Sequence, residues 1–309
     1  MKIYDCFTFF NELDVLEIRL NILNDKVDYF VLVEATTTHS GKKKELYFEN
    51  NKSRYSKFLN KIIHVIVDDM PELKDDRWVL ENFQRNAIMR GLSDCKEDDV
   101  IMISDLDEIP NIKDVNYIKN RAKTISSKND VLYKIYYYFK TKILNIKSNT
   151  RIVKYIKILT NYLSIKSSKL IVFKQNFYFY YLNGFINNEW LGSKIVMYKN
   201  LINDFNSSPQ QIRSSSAKNI IENGGWHFSY LFTPEGISNK IKSFAHSEFD
   251  KTEYTDTNTI ETKIKKGENI FGRDAEKITY VKINNSYPEY IINNTGKYEQ
   301  LINNNVNNQ

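Results

Sequence analysis

Apolar residues in the first third of the chain fall into short unbroken runs separated by amphipathic stretches. Residues 3–10 (IYDCFTFF), 28–34 (DYFVLVE), 61–67 (KIIHVIV) and 99–104 (DVIMIS) lack a helical period and carry many β-branched side chains. That is the pattern of strands covered on both faces. Between them, Leu13, Leu16, Leu20 and Leu23 recur at helical spacing, and residues 53–59 predict a short helix. Residues 76–92 predict a longer helix with Leu80, Phe83, Ala87 and Ile88 buried. Strands joined by helix-length crossovers predict an α/β fold with a Rossmann-like, doubly wound mixed sheet flanked by helices. Further on, residues 177–182 and 194–198 read as strands flanking a loop that carries Glu189 and Trp190. A short helix over 208–213 begins with Pro209 in its first turn, and Gly224-Gly225 reads as a loop presenting Trp226 and His227. Residues 234–244 predict a helix, 251–259 a polar loop, and 277–283 a last strand.

Right-handed crossovers put the strand ends on one edge, where α/β sheets bind ligands. Glu12, Glu34, Asp68, Asp69, Asp105 and Asp107 gather on that rim. In the segment DVIMISDLDEIP, Asp105, Asp107 and Glu108 follow the central strand directly. Alternate residues of an extended segment point the same way, so Asp105 and Asp107 can converge on a hard cation that leaves positions free for phosphates. The competing reading is that these acids cap the helix after Pro110. Arg85 likewise reads two ways: an ion pair with Glu81 at i,i+4, or a guanidinium aimed with Asn82 and Asn86 at a phosphate or base. His227 is either a core histidine or a ligand.

Composition changes the picture in one place. The 309 residues are 41% hydrophobic and 27% charged with a net charge of +6, ordinary for a globular protein. However, residues 131–188 contain ten Lys or Arg and no acid, interleaved with Tyr and Ile. Such a mixture suits an anionic membrane surface or polymer as well as a solvated face. The two cysteines, Cys6 and Cys95, suit neither a disulfide framework nor a thiolate metal site, which favours a reducing, cytoplasmic setting. No secretory signal and no run of ~20 apolar residues is visible.

With these segments laid out, the chain resembles glycosyltransferase family 17. The matching stretches are YDCFTFFNELDVLEIRL, FVLVEATTTHSGKKK, ENFQRNAI, ISDLDEIP, EWLGSKIV, GWHFSYLFTPEGI and FAHSEF. The resemblance implies a glycosyltransferase A-type fold and transfer of a sugar with inversion. The best expectation is N-acetylglucosamine passing from UDP-N-acetylglucosamine to a glycan hydroxyl in β-linkage. It further implies Mn²⁺ or Mg²⁺ on Asp105, Asp107 and His227. Phe9, Asn11, Glu12, Glu34, Arg85 and Asp105 would bind the nucleotide sugar, and Trp190 and Trp226 the acceptor. A carboxylate must take the acceptor proton, with Glu248 ranked ahead of Glu235 and Glu189.

Residues 1–126 would then form the nucleotide-sugar half and 171–309 the acceptor side. A basic insertion from Ser127 to Leu170 would separate them and reach peripherally toward a membrane. The rival readings are a metal-dependent nucleotide-sugar hydrolase and a non-catalytic protein binding anionic glycans or membranes. Nucleic acid is not expected as a partner, because a basic insert alone carries no recognised motif.

Overall fold

The computed structural model describes residues 1–127, 169–273 and 276–305. The first half alternates strand and helix: β1 (Ile3–Phe9), α1 (Leu13–Leu23), β2 (Tyr29–Ala35), α2 (Tyr47–Asn50), a 3₁₀ segment (Lys52–Phe58) where a short helix over 53–59 is expected, β3 (Ile62–Val67), α3 (Trp78–Asn86) and β4 (Val100–Asp105). A short β5 (Glu108–Pro110) and α4 (Val115–Ser127) follow. The second half contains β6 (Ile171–Phe179), β7 (Gly184–Met197), α5 (Tyr198–Asn203), α6 (Pro209–Ser214), β8 (Asn219–Ile221) and β9 (Gly225–Ser229). It ends with α7 (Pro234–Ser243), α8 (Thr252–Thr255), α9 (Thr257–Lys266), β10 (Ile278–Tyr280) and α10 (Glu289–Asn293).

Among the described residues, ten strands form one mixed sheet in the order β3-β2-β1-β4-β7-β6-β9-β5, with β10 on β7 and β8 on β6. The strands β1 to β4 run parallel, and β7 joins β4 antiparallel. Strand alternation sorts the core onto two faces. Ile3, Phe7, Leu32, Val100 and Met102 pack beneath α1. Tyr4, Cys6, Val31, Val33, Ile101 and Ile103 pack against Ala87, Ile88 and Leu92 on the other side. Both cysteines are free. A third cluster, including Phe177, Phe179, Ile237, Ile241, Ile260 and Ile264, joins the end of the sheet to α7 and α9.

Four sequence expectations need correction. The helix predicted over 76–92 stops at Asn86 and tightens to a 3₁₀ segment, Ala87–Leu92. There the chain hugs β2: a Cβ on Gly91 would lie 2.5 Å from a methyl of Val31. Glu189 and Trp190 lie inside β7 rather than in a loop, since Gln175 and Asn176 of β6 pair with them through the backbone although Asn187, Asn188 and Glu189 are exposed. Gly224-Gly225 does not open a free loop. Gly225 (φ +130°) starts β9 and lies so close to β5 that a Cβ would come within 2.1 Å of the Ile109 carbonyl oxygen. Residues 251–259 are largely helical, because the Asp256 carboxylate caps α9 by accepting from the Thr259 N–H at 2.8 Å. Residues 128–168, which contain most of the basic insertion, lie outside the described residues. No helix among the described residues is long and apolar enough to cross a membrane.

Candidate active site

The carboxyl ends of β1, β2 and β4 open into a cleft of about 460 Å³. On one side it is lined by Thr8–Phe10, Glu12, Thr37–His39, Gln84 and Arg85, on the other by Phe177, Trp190, Arg213, His227, Lys240 and His246. The turn holding the two aspartates rests on Arg19 of α1, whose side chain is fully buried. Its Nε and Nη2 donate to both oxygens of Asp5 at 2.8 and 2.5 Å. Its Nη1 donates to the carbonyls of Asp105, Leu106 and Glu108 at 3.1, 2.9 and 2.9 Å. One guanidinium thus fixes the backbone of residues 105–108 from below.

Glu108 ties the two halves together. It is buried, its Oε2 accepts from the Asp105 N–H at 3.2 Å, and its Oε1 accepts from Trp190 Nε1 at 2.7 Å and Arg213 Nη2 at 2.6 Å. Arg213 reaches the cleft because α6 begins on Ser208. That hydroxyl donates to Asn86 Oδ1 at 2.9 Å, which also accepts from the Gln210 N–H at 3.0 Å.

The cations and acids interlock. Asp105 accepts from Arg85 at 2.8 Å through one oxygen and from Arg213 at 2.9 Å through the other. Desolvation at the cleft floor would raise its pKa, but Arg213 and Arg85 outweigh that and hold it well below the usual carboxylate range. Asp107 lies between Lys240 Nζ at 3.4 Å and His227 Nε2 at 3.5 Å. Burial pushes its carboxyl up, yet Lys240 and His227 bring it down to about 2. Lys240 also pairs with Glu12 at 3.1 Å, and Arg85 with Glu81 at 2.8 Å. The ion-pair reading of Arg85 holds, and the same guanidinium also pairs with Asp105.

Of the other sequence-predicted residues, Phe9, Glu12, Trp190 and His227 line the cleft. Asn11 does not line it, and Glu34 is fully buried behind it, holding the Phe48 N–H at 3.0 Å and His64 at 3.2 Å. Trp226 points to the opposite face of β9 from His227, as strand alternation requires, and its Nε1 donates to the Ser286 carbonyl at 3.0 Å. It lines a separate hollow with Asn111 and Tyr287. Glu189 and Glu235 are exposed outside the cleft, Glu189 pairing with Lys174 at 2.5 Å. Glu248 is exposed, does not line the cleft, and pairs with His246 at 2.7 Å.

The sequence reading passed over Arg19, Arg213, Lys240, His39 and His246. Arg19 had a signal: a lone arginine amid Leu16, Ile18 and Leu20, complementing a lone acid, Asp5, in an apolar strand. Arg213 and Lys240 carry no local mark, because only the tertiary fold brings them to the aspartates.

Asp107 and His227 carry donor atoms of the kind a divalent cation takes, 3.5 Å apart, although the other oxygen of Asp107 is paired with Lys240 Nζ at 3.4 Å. Asp105 does not fit as it stands, since each of its oxygens is held by an arginine. Among the described residues, no group of three or more His, Cys, Asp or Glu side chains is gathered closely enough to hold a metal by itself.

A single mixed sheet with acids and cations converging where its parallel strands end defines an α/β protein with its ligand cleft at the sheet's carboxyl edge. Residues 1–187, more than half of the chain, match the family described as glycosyltransferase family 17, and the chain belongs to that family. It is similar to proteins named beta-1,4-mannosyl-glycoprotein 4-beta-N-acetylglucosaminyltransferase, 24% identical in Rattus norvegicus and 23% in Homo sapiens, with 95% of this chain covered. The alignments cover 53% and 54% of those proteins, so the chain spans about half the length of the curated relatives it matches. No solved structure matches.

Proposed function

We propose that the cleft transfers a sugar, N-acetylglucosamine carried on UDP, to a hydroxyl of a glycan acceptor with inversion to a β-linkage, on a glycosyltransferase A-type fold. The observation that carries this reading is the lattice of Asp105, Asp107, Arg85, Arg213 and Lys240 at the ends of parallel strands. It presents three cations to any diphosphate entering the cleft. Arg85 Nε is buried without a hydrogen-bond partner, and so is His227 Nδ1. Buried polar groups are normally satisfied, and a bound ligand or water accounts for such orphans.

Arg85 and Arg213 would hold the diphosphate and stabilise its charge as the anomeric carbon–oxygen bond breaks. Asp107 and His227 would hold Mn²⁺ or Mg²⁺, which when bound neutralises the leaving diphosphate. Thr37, Thr38 and His39 follow β2 in the cleft lining, where they would meet the nucleoside. Trp190, its ring held through Nε1 by Glu108, would meet the acceptor sugar. Calorimetric titration with UDP-N-acetylglucosamine and Mn²⁺ tests the reading. Binding that weakens at least tenfold in Arg213→Ala is expected, since a charge-assisted bond is worth about 1.5–3 kcal/mol. No binding to the native protein would overturn it.

A further inference from the structure

Inverting transfer needs a base at the acceptor hydroxyl, and the carboxylates lining the cleft are all committed to cations. Glu12 is held by Lys240, Glu81 by Arg85, Asp105 by Arg85 and Arg213, and Asp107 by Lys240 and His227. The cleft histidines divide similarly. His39 is spent on Gln84 at 2.8 Å, and His227 faces Asp107 with its ring stacked on Phe177 at 4.8 Å between centroids. His246 differs. Its Nδ1 bonds Glu248 Oε1 at 2.7 Å, and among the described residues its Nε2 has no hydrogen-bond partner.

The segment carrying His246 is tied to the start of α3. Arg77, just before α3, pairs with Asp250 at 2.7 Å, and the ring of Trp78 meets the imidazole edge-on at 4.7 Å. Phe244 and Phe249 flank the same ring at 5.4 and 5.9 Å. A histidine whose Nδ1–H is held by a carboxylate has the tautomer and orientation of a general base acting through Nε2.

We propose that His246, oriented by Glu248, is the catalytic base, which rests on the glycosyltransferase reading above. As the acceptor oxygen bonds to the anomeric carbon, its proton passes to His246 Nε2. The anomeric carbon–oxygen bond to the diphosphate breaks, and the nucleoside diphosphate leaves with that electron pair. The imidazolium then returns its proton to solvent. Glu248 is thus a positioning residue, which accounts for a carboxylate in this stretch that stands outside the cleft lining.

The test uses the described chain with UDP-N-acetylglucosamine, Mn²⁺ and a glycan ending in β-mannose. His246→Ala should lower kcat by about 10²–10⁴-fold, the usual worth of a general base, with donor affinity changed less than twofold. Added imidazole should restore part of the loss. Glu248→Gln should lower kcat less than His246→Ala does, with donor affinity unchanged. The other charged groups nearby are mutually paired: Arg77 with Asp250, Glu81 with Arg85, and Arg273 with Glu276. Should His246→Ala unfold, His246→Gln keeps the volume and is expected to lose the same rate. Native transfer together with a kcat within threefold in both His246 variants overturns this inference alone, as does an unchanged kcat in Glu248→Gln. A native protein that neither binds nor consumes the donor overturns the underlying reading as well.

Discussion

The wall of the cleft built by β1, β2 and β4 and the wall built by β6, β7, β9 and α7 differ in how they are held. On the first, Arg19 locks the 105–108 turn by bonding carbonyls, and Arg85 is fixed by Glu81, Gln210 and Asp105. Polar contacts define it, and the strands under it follow regular parallel register. The second wall is largely aromatic, with Phe177 packed on Trp190 and Phe249 on Phe271 at centroid distances of 5.5 and 4.4 Å. Two of its tyrosines, Tyr180 and Tyr230, adopt left-handed backbone (φ 67° and 56°) where β6 and β9 end. A bulky residue there costs about 1–3 kcal/mol, strain that persists only where packing over-determines it. The difference separates tasks: a polar wall suits a ligand of fixed charge and shape, and an aromatic wall suits the apolar faces of sugars.

The largest break in the first wall is Arg19→Met. It leaves Asp5 buried without its cation, and losing one partner of a buried pair costs about 3–5 kcal/mol. Urea unfolding should show a loss of unfolding free energy of that size, read as a lower midpoint at unchanged slope. Asp107→Asn should lower transfer by roughly a thousandfold or more, about 4 kcal/mol, while the circular dichroism spectrum stays native. A chelator should impose a comparable loss on the native protein.

The same substitution carries a pH signature. Asp107 has a folded pKa of about 2, below its unfolded value of about 3.9. Its contribution to stability is therefore complete above pH ~4 and is lost as pH falls toward 2. The stability gap between native protein and Asp107→Asn should close across that window in acid unfolding.

On the second wall, Gly225→Ala should destabilise by about 2 kcal/mol or more, since a Cβ meets the Ile109 carbonyl at a φ unsuited to L side chains. His227 and the β5–β9 pairing would shift with it, so a thermal melt and a donor titration should change together. Trp190→Phe, the mildest change, keeps a ring but gives up the bond to Glu108. It should cost about 1 kcal/mol, read as a several-fold rise in acceptor KM with donor affinity unchanged.

How far the sequence foretold these walls follows the same divide. The parallel half was legible because strands buried on both faces read as continuous apolar runs, and because Asp105 and Asp107 stand two positions apart in the chain. The second wall was harder to read. β7 passes through exposed Asn187, Asn188 and Glu189 without losing its pairing, and Gly225 serves a close strand approach rather than a loose turn. Trp226 and His227 are neighbours in sequence, yet strand alternation sends them to opposite faces. Arg213 and Lys240 reach the aspartates across 108 and 133 positions of chain, a separation no local pattern encodes.

The central claim is that this cleft moves a sugar from a nucleotide to an acceptor. Its most direct test is UDP release from UDP-N-acetylglucosamine with Mn²⁺, measured with and without a β-mannose-terminated glycan, with proton NMR of the product. The account predicts release that rises sharply with acceptor and a β-linked product. Equal release without acceptor would contradict transfer and mark a hydrolase, and an α-linked product would contradict inversion.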